Sequence, residues 1–170
     1  LLVFDGFSLI LAWPGGMRAV LEYGQPLVRA QPCESTNPIT ISNIRRGWVL
    51  ASRIGRVRLD GASYREAISL DVPGKAVADP HDLVISDDQQ WLVASASGTH
   101  ELLIYRLDEM PFIAVGGPGD LIDRRLQYDR KLFDRLDVGG RPMGLRMADD
   151  NRTLYVANYL RNAVQIVDLE

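Results

Sequence analysis

The feature that most limits the fold of this 170-residue chain is an internal repeat. Segment 142–170 aligns to segment 80–108 without a gap. The positions with identical residues are Pro80 and Pro142, Leu83 and Leu145, Asp87 and Asp149, Asp88 and Asp150, Leu92 and Leu154, Ile104 and Ile166, and Leu107 and Leu169. Such a repeat indicates that one supersecondary unit is copied along the chain and that neighbouring units bury each other's apolar faces.

A fainter copy precedes these two. Pro38 lies 42 residues before Pro80, and the Trp-Val-Leu-Ala-Ser stretch at 48–52 resembles the Trp-Leu-Val-Ala-Ser stretch at 91–95. The first five residues look like the tail of a still earlier copy. The sequence therefore predicts a single domain, 1–170, with copies at about 1–37 (partial), 38–79, 80–141 and 142–170. The basic period is about 42 residues, and an insertion lengthens the copy at 80–141.

Each copy has the pattern of short β-strands. Runs of Val, Ile, Leu and Tyr are separated by Asp-Asp pairs, whose side chains bind nearby backbone groups and favour turns. Four antiparallel strands in a period of slightly more than forty residues are typical of a β-propeller blade. We therefore expect an all-β protein with about three four-stranded blades and part of a fourth. Because terminal blades would leave strand edges and apolar faces uncovered, we expect the chain to be a fragment of a longer ring.

The insertion at 110–137 has a different pattern. Asp120 is a suitable N-cap, and the apolar residues from Leu121 to Leu136 fall near helical spacing. We expect one short amphipathic helix here, placed as a decoration on one face of the ring.

The best-preserved copy resembles a known repeat. The Leu-Tyr-Val-Ala-Asn stretch at 154–158 follows an Asp-Asp-Asn-Arg turn and precedes a strand that ends in Asp168, and the copy begins with Pro142 and Gly144. This pattern is similar to the YVTN-type β-propeller repeat, and the resemblance covers roughly residues 38–170. It implies a bacterial or archaeal extracytoplasmic protein, periplasmic or secreted. It also implies a possible link to a c-type cytochrome redox module, although no Cys-x-x-Cys-His motif occurs here and no cofactor is expected in this segment.

Three residues are candidates for a site. His81 begins an inner strand, where a propeller faces its central channel, and Asp82 or Asp79 is suited to orient its imidazole. Arg141 is a loop cation suited to an anionic ligand. We name His81 and Asp82 as catalytic candidates and all three as binding candidates. His100 is a weaker candidate on a loop, and two histidines with one cysteine predict no metal site.

Composition limits the partners. With 19 basic against 22 acidic residues the chain has no positive excess for nucleic acid, and its longest apolar run, at 7–13, is too short to span a bilayer. The leading hypothesis is a scaffold that binds a protein or small molecule at the channel mouth and joins the remaining blades of a longer propeller. The alternative is a propeller enzyme, a lactonase-like hydrolase or an oxidoreductase, that uses His81 and Asp82.

Overall fold

The structure is a computed structural model, and it describes residues 2–4, 8–13, 17–20, 29–32, 41, 52–58, 65–70, 72, 75–110, 113–114 and 124–170. The strands in this part of the chain are β1 (Leu2–Phe4), β2 (Ser8–Trp13), β3 (Met17–Val20), β4 (Arg29–Pro32), β5 (Arg53–Arg58), β6 (Arg65–Ser69), β7 (Pro80–Ile85), β8 (Trp91–Ala96), β9 (Glu101–Arg106), β10 (Ile113–Ala114), β11 (Phe133–Asp137), β12 (Pro142–Met147), β13 (Thr153–Asn158) and β14 (Ala163–Asp168). The helical elements whose bounds the structure gives are a 3₁₀ turn, Leu107–Glu109, and helix α1, Arg124–Tyr128.

These strands form antiparallel sheets. Sheet 1 has the order β1-β2-β5-β6-β10, sheet 2 the order β7-β8-β9-β11 and sheet 3 the order β12-β13-β14, while β3 and β4 pair as a separate hairpin. Every pairing between the described strands is antiparallel. The prediction of an all-β protein with little helix is therefore confirmed.

The Asp-Asp pairs form turns, as predicted. Asp88 accepts hydrogen bonds from the Ser86 hydroxyl at 2.5 Å and from the N–H of Gln90 at 3.1 Å. Asp150 occupies the same position in sheet 3 and accepts from the N–H groups of Arg152 and Thr153. These carboxylates bind backbone N–H groups at or just before the start of the next strand and so hold a tight reversal between β7 and β8 and between β12 and β13.

Two apolar clusters lie between the sheets. The first lies between sheets 1 and 2 and contains Ile54, Ile68, Leu70, Val77, Leu83, Leu92, Ala94, Ala96, Leu103, Tyr105, Leu107, Met110, Leu126 and Phe133. The second lies between sheets 2 and 3 and contains Val93, Leu102, Val138, Met147, Leu154, Val156 and Leu169. Sheet 2 is thus buried on both faces. Alternate residues of β8 supply the two clusters, since successive side chains of a strand point to opposite faces.

The predicted helix from Asp120 to Leu136 is wrong over its second half. Residues 133–137 form β11, which pairs with β9 from Phe133 opposite Tyr105 to Asp137 opposite Glu101. The rings of Phe133 and Tyr105 stack with their centroids 4.5 Å apart. If these residues formed a helix, the backbone groups on the edge of β9 would have no strand to pair with. Pairing with β11 satisfies them, so tertiary context overrides the helical spacing. The proposed N-cap, Asp120, lies outside the described residues.

The insertion is therefore not a decoration on one face. Its residues 113–114 pair with β6 in sheet 1, and its residues 133–137 complete sheet 2. Helix α1 lies between these two strands in the chain, and its Leu126 belongs to the first apolar cluster.

The earlier copies also divide differently from the prediction. Sheet 1 joins β1 and β2 to β5 and β6, so the described strands of the predicted copies at 1–37 and 38–79 do not form separate sheets. Ser52, predicted to match the strand residue Ser95, precedes β5 and is not in a strand. Pro38 and Trp48 lie outside the described residues.

Candidate functional site

His81 lies at one end of sheet 2. Its strand β7 starts at Pro80, directly after Asp79, whose backbone has φ +49° and whose carbonyl accepts hydrogen bonds from the N–H of Ser97 at 2.9 Å and from its hydroxyl at 3.1 Å. The register of β7 against β8 shifts between Pro80 and Leu83. This irregularity re-aims the residues within it, and the His81 side chain is exposed to solvent.

Asp82 points into the boundary between two sheets. One carboxylate oxygen accepts from the N–H of Leu83 at 2.9 Å, and the other accepts from the N–H of Leu145 in β12 at 2.7 Å. Both oxygens are therefore occupied by backbone donors, one of them in the neighbouring sheet. The structure describes no hydrogen bond from the His81 imidazole to the Asp82 carboxylate, the contact that an imidazole-orienting role requires.

Ser95 completes this connection. Its fully buried hydroxyl accepts from the N–H of Asp82 and donates to the carbonyl of Met143, both at 2.9 Å. Met143 is the counterpart of His81 in the repeat that pairs Pro80 with Pro142. We call Asp82 and Ser95 the inter-sheet clamp, because together they bond two backbone positions of β12 to sheet 2.

Arg141 lies at the same end of the packed sheets as His81. It immediately precedes β12, as Asp79 precedes β7, and its carbonyl accepts from the N–H of Tyr159 at 2.9 Å just as Asp79 accepts from Ser97. The N–H of Arg141 donates to the side-chain oxygen of Asn158 at 2.8 Å. Its own side chain is exposed. Two of the three predicted site residues, His81 and Arg141, are therefore exposed at this end, and the third is not.

Asn158 holds this end of sheet 3 in place, a role that we did not predict. Its buried amide donates to the carbonyl of Gly139 at 2.8 Å and to the side chain of Gln165 at 2.7 Å. Gly139 and Gly140 both have φ +59°, a backbone conformation that residues other than glycine adopt at a cost in free energy. Asn158 is the last residue of the Tyr-Val-Ala-Asn stretch, so the repeat pattern contained a signal for it.

A second group of charges lies where the chain enters sheet 2. The carboxylate of Glu101 in β9 binds the guanidinium of Arg135 in β11 and the ammonium of Lys75, the latter at 2.9 Å. Arg135 also donates to the carbonyls of Lys75 at 2.7 Å and Ala76 at 3.4 Å. Glu101 and Arg135 are buried, with side chains 6% and 8% exposed, while Lys75 is mostly exposed. The group fastens the segment between sheets 1 and 2 to the outer strands of sheet 2.

Opposing effects act on the pKa of Glu101. Burial raises the pKa of this carboxyl, but the hydrogen bonds and positive charges of Arg135 and Lys75 lower it more. The pKa therefore lies below its ordinary value of 4.5, and Glu101 is a carboxylate at neutral pH. A buried acid that is kept ionised by two cations is suited to a structural ion pair.

His100 has a backbone role. Its φ is +65°, and its counterpart in sheet 3, Asn162, has φ +49°. Histidine and asparagine are among the residues that adopt this left-handed conformation more often than others. The carbonyl of His100 accepts from the N–H of Val138, and its side chain is exposed. These features fit a turn residue.

Neither a metal-binding group of side chains nor a membrane-spanning helix occurs among the residues that the structure describes. No group of three His, Cys, Asp or Glu side chains there is arranged to hold a metal ion. No helix in the same residues is both long and apolar enough to cross a bilayer.

Among solved structures, the chain is similar to hydrazine synthase of Kuenenia stuttgartiensis, a protein that contains a β-propeller. The TM-score is 0.70 at 14% sequence identity, over 98% of this chain and 44% of that chain. At this identity the likeness concerns the fold, and this chain spans less than half the length of its neighbour. The class defined by the fold is thus an all-β protein of packed antiparallel sheets.

No family model matches the sequence, and no curated protein is similar to it at a significant level. The resemblance to the YVTN-type repeat is therefore not confirmed by a family match.

Proposed function

We propose that this chain is a β-propeller scaffold and binding module of a larger protein, in which sheets 1, 2 and 3 are consecutive blades. The observation that carries the proposal is the repetition of a three-strand unit. In the alignment that pairs Pro80 with Pro142, β12, β13 and β14 begin and end at the counterparts of the first and last residues of β7, β8 and β9. The register shift recurs as well, at Pro80 to Leu83 and at Pro142 to Leu145.

Sheet 1 follows the same plan despite its weaker sequence match. The N–H of Leu70, which follows its outer strand β6, donates to the carbonyl of Ser52, which precedes β5. The same bond joins Val138, after β11, to His100, before β9. The outer part of sheet 1 therefore corresponds to that of sheet 2, which supports three units of one type.

The positions of the first strands also support a ring. Strand β7 lies beside β1 and β2 of sheet 1 and beside β12 of sheet 3, and β12 also approaches β8. In a propeller, the first strand of each blade lines the central channel, so neighbouring blades approach each other most closely there. In sheets stacked as parallel layers, by contrast, all strands of one sheet would lie at a similar distance from the neighbouring sheet.

The end that carries His81 and Arg141 is the proposed ligand end. The His81 imidazole is exposed on an irregular first strand, and the Arg141 side chain is exposed at the start of the next first strand. Side chains at these positions stand at the mouth of the proposed channel. A donor and a cation there suit an anionic small molecule or an acidic segment of a partner protein.

The resemblance to the YVTN-type repeat supports an extracytoplasmic location and a possible connection to a c-type cytochrome module. The haem would bind to another segment, because these 170 residues contain a single cysteine. In this proposal, the present chain positions a redox partner and performs no electron transfer itself.

The alternative is a propeller enzyme with His81 as base and Asp82 as its orienting partner. The exposure of His81 favours a reactive role. The two backbone hydrogen bonds to Asp82 favour a structural role for the carboxylate, and we therefore rank the enzyme second.

The structure of the full-length protein, determined by cryo-electron microscopy or crystallography, tests the scaffold. We expect radial sheets around an axis, with β7 and β12 on the channel; sheets that stack without closing would overturn it. The enzyme is tested by metal analysis of the full-length protein and by its hydrolysis of an aromatic lactone, with and without His81→Ala. If the His81→Ala variant keeps its metal content and its hydrolysis unchanged, the enzyme hypothesis is excluded. Loss of both supports it.

A further inference from the structure

The far face of sheet 3 is apolar and exposed. Tyr155 is 40% exposed, Val164 66% and Ile166 71%. Tyr155 pairs with Arg146 on one side and with Ile166 on the other, and Ala157 pairs with Val164. Paired residues of adjacent strands share a face, so these five side chains form one surface, which we call the outer face.

The corresponding surface of sheet 2 is buried. The counterparts of the outer face in the repeat are Val84, Val93, Ser95, Ile104 and Leu102. Val93 and Leu102 are fully buried, and Val84 and Ile104 pack against the same apolar cluster. What covers them is the inner face of sheet 3, with Met147, Leu154 and Val156. The same positions are thus covered in sheet 2 and exposed in sheet 3.

We propose that the outer face docks against a further antiparallel sheet of the same repeat, and this inference rests on the proposed function. The docked sheet presents an aliphatic face like that of sheet 3 toward sheet 2, where Leu145, Met147, Leu154 and Val156 lie. The argument is that sheet 3 presents, on its outer face, the same repeat positions that sheet 2 uses to contact sheet 3. A sheet of the same repeat can therefore pack against sheet 3 as sheet 3 packs against sheet 2.

The new contact differs from the existing one in its polar groups. Asp82 and Ser95, the inter-sheet clamp, are replaced by Gly144 and Ala157 in sheet 3. Neither replacement has a side chain that can bond a neighbouring backbone. Arg146 stands where sheet 2 has Val84, so a charge lies within a surface that is otherwise apolar. The new interface therefore has no such clamp, and the sheet that docks in the full-length protein carries a carboxylate opposite Arg146, because an unpaired buried cation is costly.

An extended chain tests the docking directly. Residues 109–170 are appended after Glu170, which preserves the spacing from Pro80 to Pro142 and supplies a copy of β11 for sheet 3 and then a copy of β12–β14. In a Cys33→Ser, Arg146→Val background, Ala157→Cys reports on the outer face through its rate of reaction with a maleimide. The valine is the residue of the counterpart Val84, so the appended copy needs no carboxylate at this point. We expect labelling at least tenfold slower in the extended chain than in the parent chain. The control Asp149→Cys, on an exposed turn, reacts equally fast in both.

A second substitution identifies the surface responsible. Ile166→Asp in the extended chain restores fast labelling at position 157, whereas Tyr128→Asp, an equally exposed site on helix α1, does not. The two side chains are 71% and 73% exposed, so neither change disturbs the core of the parent chain.

The outcomes that overturn the inference are distinct. Equal labelling in the two chains overturns it, and so does an appended segment that remains protease-sensitive, because the proposal requires this face to accept the sheet. Slow labelling of the parent chain that depends on protein concentration shows that a second copy is the occupant instead. A full-length structure with docked but unclosed sheets would overturn the propeller and leave this inference intact.

Discussion

Asp82 in β7 accepts a hydrogen bond at 2.7 Å from the backbone N–H of Leu145 in β12, and so joins the first strands of two sheets. The other oxygen of the carboxylate accepts from the N–H of Leu83. Alignment of the repeat makes Leu83 and Leu145 counterparts. One side chain thus satisfies the same backbone group in two successive units, at the point where each first strand is irregular.

Replacement of Asp82 by alanine should destabilise the chain by about 2 kcal/mol, because a partly buried donor left unsatisfied costs about 1–3 kcal/mol. The free energy of unfolding in urea measures this loss. Asp149→Ala, in an exposed turn, is the matched control and should change stability by less than about 0.5 kcal/mol. Equal stability of the two variants would contradict the structural role of Asp82.

The Glu101–Arg135 pair should make stability dependent on acid pH. Because the pKa of Glu101 is lowered in the folded state, the unfolded chain binds more protons in this range. The stabilisation is present above the ordinary value of 4.5 and is lost as the pH falls through the lowered pKa. Glu101→Gln should cost about 3 kcal/mol at pH 7, since it leaves the Arg135 guanidinium buried without its counter-ion.

Chemical unfolding at several pH values between neutrality and acid measures both effects. The difference between wild type and Glu101→Gln should shrink as the pH falls. Glu109→Gln, at an exposed position in the 3₁₀ turn, serves as the control and should follow the wild-type curve. A difference that stays constant with pH would show that Glu101 is not the group that titrates.

Asp150 should titrate at unusually low pH. The hydroxyl of Thr153, followed by the N–H groups of Thr153 and Arg152, lowers the pKa of Asp150 from 3.8 to about 2. Thr153→Val removes the largest of these causes, so the pKa should rise toward 3.8. Carboxyl chemical shifts in an NMR titration measure both values. A wild-type pKa near 3.8 would show that the Thr153 hydroxyl bond does not form in solution.

His100 should tolerate asparagine but not valine. Its φ of +65° favours residues such as the Asn162 found at the same place in sheet 3. A β-branched side chain in this conformation costs roughly 1–2 kcal/mol. His100→Asn should therefore unfold like the wild type, and His100→Val should be less stable by about 1 kcal/mol, because histidine already bears part of this cost, as measured by urea denaturation. Equal stability of the valine variant would argue that the turn is not strained in this way.

The sequence by itself determined the repeating unit and its local turns. The alignment of Pro80 with Pro142 predicts the correspondence of three pairs of strands, and the Asp-Asp pairs predict the reversals between them. Both depend on contacts between near neighbours in the chain, such as Asp88 with Gln90 or Asp150 with Arg152. Such contacts leave a clear pattern in a single sequence.

The tertiary structure decided which distant segments share a sheet and what the charged side chains do. Residues 133–137 have helical spacing and nevertheless form β11, because the edge of β9 requires a partner. Asp82 looked like a partner for His81 and instead bonds a strand of the next unit, which begins at Pro142. The physical reason is the same in both cases. Backbone hydrogen-bonding groups left over in one unit are satisfied by another unit, and no local pattern shows where that unit will lie.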